Sequence, residues 1–494
     1  MKKKQLRWTL WTIASPFILF IILCILIYLP PIQNFLVDKA AVYASEATGM
    51  NISVGRISLS FPLNLVVTDV DAASPHKDTL LSVRRLQVNV QLLPLLKKQV
   101  EVDGISLQGA TVNSNDLIHG MRLNGTLGEL FISSHGVALD PETAIVNKVL
   151  LKDTDLSLCL NDTAAADTAA SDTTYWKIIL QDIDLQNVSF ALDMPLDSLS
   201  LAASLDNATL RDGLIDLHKS AYSLQTFRIK NGRVRYDSGR PSATASADSL
   251  SAGLDPSHIA LTDIGVKLDS LYYEGRNMKA IISQFVLKER SGVEIVSTEG
   301  RLVSNDKVLR VPSLKLETRD SYLELNAAMD WDALDFKKEG LVSARLMADI
   351  GKPDVVRFMG SMDEKFIRKY PSEPLRIRTG IDGDLNKLKL TTLTAELPGA
   401  LELFAKGELT SLTDSLLRGG DITLQAETKD LKFISTLAEG IEIPYGTRLE
   451  GKFTMAGPKM GTDLLLMQPE AHAVAVADTI PITVDRKSTR LNSS

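Results

Sequence analysis

Ile57-Ser-Leu-Ser-Phe-Pro-Leu-Asn-Leu-Val-Val67 is the stretch whose reading decides the fold class. Its odd positions are all apolar: Ile57, Leu59, Phe61, Leu63, Leu65 and Val67. Ser58, Ser60, Pro62 and Asn64 fill most of the even ones. A period of two sends alternate side chains to opposite faces, so the stretch reads as β structure with one dry and one wet face. Pro62 cannot donate to a ladder and marks an edge or a bulge. Leu86, Val88, Val90 and Leu92 repeat the alternation against Arg85, Gln87, Asn89 and Gln91. These ten apolar residues, Ile57 to Val67 and Leu86 to Leu92, are the candidate lining of an apolar surface.

A second pattern lies downstream. Ile105, Leu107, Ala110 and Val112 are spaced two, three and two apart, as are Ile183, Leu185, Val188 and Phe190. Phe227, Ile229, Gly232 and Val234 match, and so do Val266, Leu268, Leu271 and Tyr273. The step of three would flip a regular strand, so the backbone has to bulge or turn a corner there to keep its apolar side facing one way. Gly109, Asn187, Asn231 and Ser270 stand at that step, and small turn-tolerant residues suit it. The copies are 78, 44 and 39 residues apart, which describes a β-rich array with insertions rather than a strict solenoid. Alternation resumes at Phe285-Val-Leu287, Val308 to Leu316 and Leu323-Glu-Leu325.

Residues 31–48 read as a short amphipathic helix, with Ile32, Phe35, Leu36, Ala40 and Tyr43 at helical spacing and Gly49 as its stop. Such a helix either caps the strands that follow or lies at a membrane interface. Residues 161–174, NDTAAADTAASDTT, lack large apolar side chains and read as a disordered excursion between strands. Helical inserts are expected at 353–369, around Val356, Phe358, Met359, Met362 and Phe366, and at 431–438, as caps over an open end or seam of sheet.

Ahead of all this stands Trp8 to Leu29, twenty-two residues without a charged side chain. At ~1.5 Å per residue it reaches ~33 Å, enough for one transmembrane helix. Lys2, Lys3, Lys4 and Arg7 precede it, so residues 1–7 are expected in the cytoplasm and the rest beyond the membrane. Trp8, Trp11, Tyr28 and Leu29 mark the ends of the anchor. A cleaved leader fits less well, because the run is too long and the nearest small-residue site, Val42-Tyr43-Ala44, comes too late.

The formal charge of the whole chain is −7, and residues 8–484 carry −13 once the four basic residues ahead of the span and the net +2 of the last ten are set aside. A mildly acidic exported body offers no basic face for nucleic acid. Cys24, inside the span, and Cys159 are the only cysteines, which excludes a disulfide scaffold. The histidines lack metal-ligand spacing, and phosphate-loop, nucleophile-elbow and zinc-protease motifs are absent. Asp330, Asp332 and Asp335 lack the glycine and distal glutamate of a calcium loop and read as a turn. No catalytic residue, metal or cofactor is expected, so the chain does not read as an enzyme. Residues 485–494, DRKSTRLNSS, resemble the translation of a sequencing adapter, and the protein is expected to continue past Val484.

The basic tail and single span, followed by Ala47-Thr-Gly-Met-Asn-Ile-Ser-Val-Gly-Arg-Ile57, resemble the N-terminal part of the TamB group within the AsmA-like family of Gram-negative envelope proteins. Ser60 to Val70, Leu80 to Val90, Gly380 to Leu390 and Pro398 to Gly407 add to the likeness. The resemblance implies a mostly β protein: one N-terminal transmembrane helix, then an elongated, curled, taco-like β-sheet groove over residues 50–484 with short helical inserts. It implies an inner-membrane protein, single-pass, with its bulk in the periplasm. Its function would be to move phospholipids between inner and outer membranes and to support outer-membrane protein assembly. The expected partners are phospholipid acyl chains, the inner membrane and a TamA-type outer-membrane barrel, the last through a C-terminal part beyond this sequence. About thirty strands at ~4.8 Å each would make the groove on the order of 140 Å long. The alternatives are a scaffold or holdase for outer-membrane β-proteins without lipid transfer, and a membrane-anchored enzyme whose site lies further along the chain.

Overall fold

Strand is the dominant element of the computed structural model, as the period-two and two-three-two patterns require. It describes residues 39, 41–43, 45, 46, 48–60, 64–74, 79–91, 102–114, 120–138, 142–161, 175–239, 253–335, 338, 340–359, 364–384, 386–412, 416–436, 445–457, 459–467, 475–476 and 482–483. The chain divides into two units, residues 1–240 and 241–494. The span at 8–29, with Trp8, Trp11, Tyr28 and Leu29, lies outside the described residues, as do the excursion at 162–174 and the last ten residues. Among the described residues no helix is long and apolar enough to cross a membrane.

In the first unit, the described residues between 39 and 48 are helical. The helix stops at Gly49, which turns left-handed at φ +69° and donates its N–H to Ser45 O at 2.9 Å. Then come β1 (Asn51–Ser60), β2 (Asn64–Ala73), β3 (Thr79–Val90), β4 (Val102–Asn113), β5 (Met121–Ala138) and β6 (Thr143–Leu160). Each pairs antiparallel with the next. β7 (Lys177–Met194) pairs with β6 in parallel, from Thr143↔Lys177 to Cys159↔Asp193. β8 (Leu199–Asp216) lies antiparallel beside β7, and its far side is shared by β9 (Ala221–Leu224) and β10 (Thr226–Ser238).

The stretch from Ile57 to Val67 is a hairpin rather than one interrupted strand. Ile57 faces Val67 and Leu59 faces Leu65. Antiparallel partners share a face, so the alternation of one strand continues in the other. The three residues between, Phe61, Pro62 and Leu63, lie outside the described residues.

The second unit is a meander in which each strand pairs antiparallel with the one before. Its strands are β11 (His258–Glu274), β12 (Asn277–Glu289), β13 (Glu294–Ser304), β14 (Val308–Thr318), β15 (Tyr322–Asp330) and β16 (Val342–Ile350), followed by β17 (Leu375–Gly383), β18 (Lys387–Leu397), β19 (Leu401–Thr410), β20 (Gly419–Thr428), β21 (Arg448–Ala456) and β22 (Lys459–Met467). Between β16 and β17 stand two short helices, α1 (Lys352–Phe358), with Pro353 in its first turn, and α2 (Glu364–Lys369). A 3-10 turn, Ile434–Thr436, lies between β20 and β21.

These inserts build the one large buried cluster among the described residues. Phe366 and Phe433, from α2 and the β20–β21 connection, meet Tyr370 with ring centroids 5.2 to 5.8 Å apart. Leu397 and Ala400, at the β18–β19 turn, complete the cluster with Leu431. The cluster therefore closes the end of the sheet at which β18 turns into β19. α1 meets this cluster through Val355 and has a polar anchor besides. Asp354, only 1 % exposed, accepts hydrogen bonds from Ser321 Oγ at 2.6 Å and from Thr318 Oγ1, both at the β14–β15 turn. Arg357 donates to Asp354 at 3.0 Å and to Asp320 at 2.8 Å.

Candidate functional site

Cross-strand register turns the apolar positions of the first unit into continuous rows. Leu59 faces Leu65, which faces Val88, and the row goes on through Ile105, Ile132 and Val149. It ends with Ile183, Leu210 and Phe227. The next row begins Ile57, Val67, Leu86, Leu107 and ends Leu185, Ala208, Ile229. Two more rows lie on the same face, one starting at Val54, Val70, Val83 and one at Ile52, Ala72, Leu81. Nine strands at ~4.8 Å give each row a length of ~38 Å.

Side chains in these rows are aliphatic with few exceptions, and most keep part of their surface open. Ile57, Leu59, Leu65, Val67, Leu86, Val88 and Val90 are all half-buried, and Val90 faces Val102. Leu81 and Phe190 are 38 % and 39 % exposed. In a two-layered sandwich the inner face is packed to interior density. Here full burial in the four rows is confined to Ala72, Val83, Ala110, Thr154, Ala208 and Gly232, mostly small residues. Phe61, Leu63 and Leu92, the other candidate lining residues, lie outside the described residues. The rows beyond β3 carry the same surface, and the alternation at 57–67 and 86–92 did not reach them.

The two-three-two spacing proves to be how the rows stay on one face. In each of the nine strands one residue falls out of the paired register at the same level: Gly55 beside Asp69, Asp69 beside Arg84, Arg84 beside Gly109. The line continues through Gly128, Asp153 and Asn187 to Asp206 and Asn231. Asp69, Gly109, Asp153, Asn187 and Asn231 have φ between +50° and +63°. The expected turn residues Gly109, Asn187 and Asn231 therefore do turn. Ser270 does not have a positive φ, although the β11–β12 register slips on either side of Leu268 and Asp263 is left-handed at φ +52°. In that strand the bulge at the step of three is present without a left-handed residue, and a second break lies nearer the start.

The opposite face is polar, with rows such as Arg56, Thr68, Arg85, Gln108, Glu129 and Lys152. In the second unit the polar face holds a shallow depression of about 570 Å³ lined by Glu396, Glu402, Glu427 and Arg448. Three of its carboxylates already have cations: Arg376 lies 3.5 Å from Glu396, Lys429 2.6 Å from Glu402 and Arg448 3.3 Å from Glu427. Glu402 holds the Lys429 ammonium above its ordinary pKa. Such exposed pairs contribute little to stability, and they meet the charge of three of the four carboxylates lining the depression, Glu450 being the fourth. Among the described residues no three His, Cys, Asp or Glu side chains stand close enough to hold a metal.

The apolar face of the second unit follows the same logic. Leu314, Leu325, Leu346, Thr379, Leu393, Ala405 and Leu424 form one row across β14 to β20. Chemically, both faces can do one thing: give aliphatic contact area along a line that runs across many strands. No family model matches the chain, and a search of curated proteins finds no match to it.

Proposed function

We propose that this is a membrane-anchored conduit protein whose apolar sheet faces hold phospholipid acyl chains and let them pass between inner and outer membranes. The rows of half-buried aliphatic side chains crossing nine strands are the observation that supports this reading. A face of this kind lowers the cost of keeping acyl chains away from water, at roughly 25 cal/mol per Å² of apolar surface covered. Its composition favours lipid over polypeptide. Protein-binding hot spots are rich in Trp, Tyr and Arg, whereas the four rows carry only Phe190 and Phe227 as aromatics and no arginine. The groove shape, the anchor at 8–29, the periplasmic location and a TamA-type barrel at the far end belong to the proposal through the family resemblance. No catalytic step is part of it.

The test is photocrosslinking in intact cells from a probe at Leu59, Val88 or Leu151, with Gln87 on the opposite face as control. Phospholipid adducts at the three apolar sites and not at Gln87 are expected. Polypeptide adducts without lipid at those sites would favour a scaffold for client strands, and no adduct at all would mean a covered core. Either result ends the conduit reading.

A further inference from the structure

The aligned out-of-register residues of the first unit have a property that no single strand shows. Asp69, Gly109, Asp153, Asn187 and Asn231 sit on five strands, yet all five are left-handed and all fall at one level of the sheet. A left-handed L-residue costs ~1–2 kcal/mol unless it is glycine or a short polar residue. Placing five together by chance is improbable, and every occupant is Gly, Asn or Asp. The partners opposite are adjusted to match. A Cβ on Gly55 would stand 2.9 Å from Asp69 Cβ, one on Gly109 3.1 Å from Arg84 Nε, and one on Gly128 2.8 Å from Asp153 Cβ. Further along, Asn187 Nδ2 donates to Asp153 Oδ1 at 2.9 Å, and Asn231 donates to Asp206.

We infer that this line is a built-in fold line: the left-handed residues set a fixed angle between two wings of the first sheet while keeping the apolar rows of both wings on one side. The rows through Leu59 and Ile57 form one wing, and those through Val54 and Ile52 form the other. The other four strands cross the line at Gly55, Arg84, Gly128 and Asp206 without a positive φ, so the left-handed state carries the turn on five of the nine. On those five, an extended residue turns the rest of its strand over. Neighbours on either side, which remain paired, oppose that inversion, so the line acts as a unit. The inference stands on backbone geometry and is independent of what the apolar face binds.

The experiment uses the full chain with Cys24→Ser and Cys159→Ser, spin-labelled at Arg228→Cys and Arg235→Cys. These two exposed positions straddle Asn231 on β10. In one variant Gly109, Asn187 and Asn231 are all changed to Val, which resists φ > 0. In a second, Asn187→Gly and Asn231→Gly keep the left-handed state accessible. A third places Val at Leu107, Leu185 and Ile229, two residues before each step, as a control that introduces the same three β-branched side chains away from the line. The glycine and control variants are expected to keep the parent label separation within ~2 Å, against ~23 Å for a straight run of seven residues. The fold-line valine variant is expected to shift the mean by ~5 Å or more, or to lose its strand signal while the other two retain theirs. A folded valine variant with the parent separation overturns the inference. So does a glycine variant that shifts as far as the valine one, because side chains rather than φ would then set the angle.

Discussion

Asp354→Ala tests how the helical insert is held against the second sheet. The carboxylate is 1 % exposed and accepts from Ser321 Oγ at 2.6 Å, from Thr318 Oγ1 and from Arg357 Nη1 at 3.0 Å. Arg357 is not orphaned by the change, since Asp320 stays 2.8 Å away and the guanidinium is 25 % exposed. Ser321 Oγ still accepts from the Gly351 N–H at 3.0 Å, and Thr318 Oγ1 still accepts from the Ser321 N–H at 2.8 Å and the Asp320 N–H at 3.2 Å, but for its own proton Thr318 has only a 3.4 Å approach to Ser321 O. Hydrogen bonds to a charged acceptor are worth ~1.5–3 kcal/mol each, and the partners that find substitutes belong at the low end. Removing the carboxylate also relieves its own desolvation. The net loss is therefore ~3 kcal/mol, below the sum of three such bonds.

That loss is local, because this site is the polar anchor of α1 on the β14–β15 turn, beside the packing of Val355 on the apolar cluster. Native-state hydrogen exchange should report it at the Val355 and Met359 amides, which bond to Gly351 O and Val355 O at 3.1 and 3.0 Å. About 3 kcal/mol corresponds to roughly a hundredfold faster opening. Amides of β11 to β13 should not change. Asp320→Ala, which removes the outer partner alone, should accelerate the same amides by less than tenfold. Protection at Val355 and Met359 within threefold of the parent in Asp354→Ala would refute the staple and leave α1 held by the apolar cluster alone.

Two more outcomes follow from particular residues. Because β6 and β7 run parallel, Leu160 and Lys177 lie a strand length apart, ~56 Å for seventeen rises of ~3.3 Å. Seventeen residues reach at most ~61 Å. Deleting residues 164–168 leaves ~43 Å of reach, so exchange should rise along β7. Unchanged protection there would show that the parallel pairing is wrong. Burial pushes the Tyr370 phenol above its ordinary pKa. The unfolded phenol ionises near pH 10, so stability from the neutral phenol is complete below that pH and is lost as pH rises towards the folded value. Tyr370→Phe should then lose less urea resistance than the parent between pH 9 and 11. Equal losses would place the alkaline sensitivity elsewhere.

Much of the sheet was legible because its physics is local. Alternation at 57–67 and 86–92 and the spacing around Gly109, Asn187 and Asn231 require only that one face avoid water. The spacing is in fact general in the first unit: Ile52, Val54, Ile57 and Leu59 show it, as do Leu81, Val83, Leu86 and Val88. It hides where small or polar residues take an apolar position, as Gly125 does before Leu127, Leu130 and Ile132, or Thr154 after Leu151. The parallel joint between β6 and β7 left no local trace, since both strands alternate alike whichever way they run. Nor did Asp354 announce itself, because its partners Thr318 and Ser321 are more than thirty residues away in sequence. Long-range pairing is set by which edges meet, and a single chain does not spell that out.

The remaining puzzle is how so wide an apolar face is stable with little full burial, and the glycines supply part of the answer. Leu156 Cδ2 lies 2.8 Å from where a Cβ on Gly125 would be, Leu314 Cδ1 2.8 Å from one on Gly300, and Leu409 Cδ2 2.7 Å from one on Gly420. Each leucine lies sideways over the bare backbone of its cross-strand partner instead of standing up from the sheet. In the second unit large and small residues alternate between neighbouring strands, as in Leu390, Gly407, Ile422 or Leu424, Gly451, Leu464. The face therefore buries apolar area laterally, within one layer. On the proposed reading, an aliphatic surface that covers itself within one layer takes an occupant without unfolding. That property is what separates such a sheet from half of an ordinary sandwich, whose inner face depends on its partner.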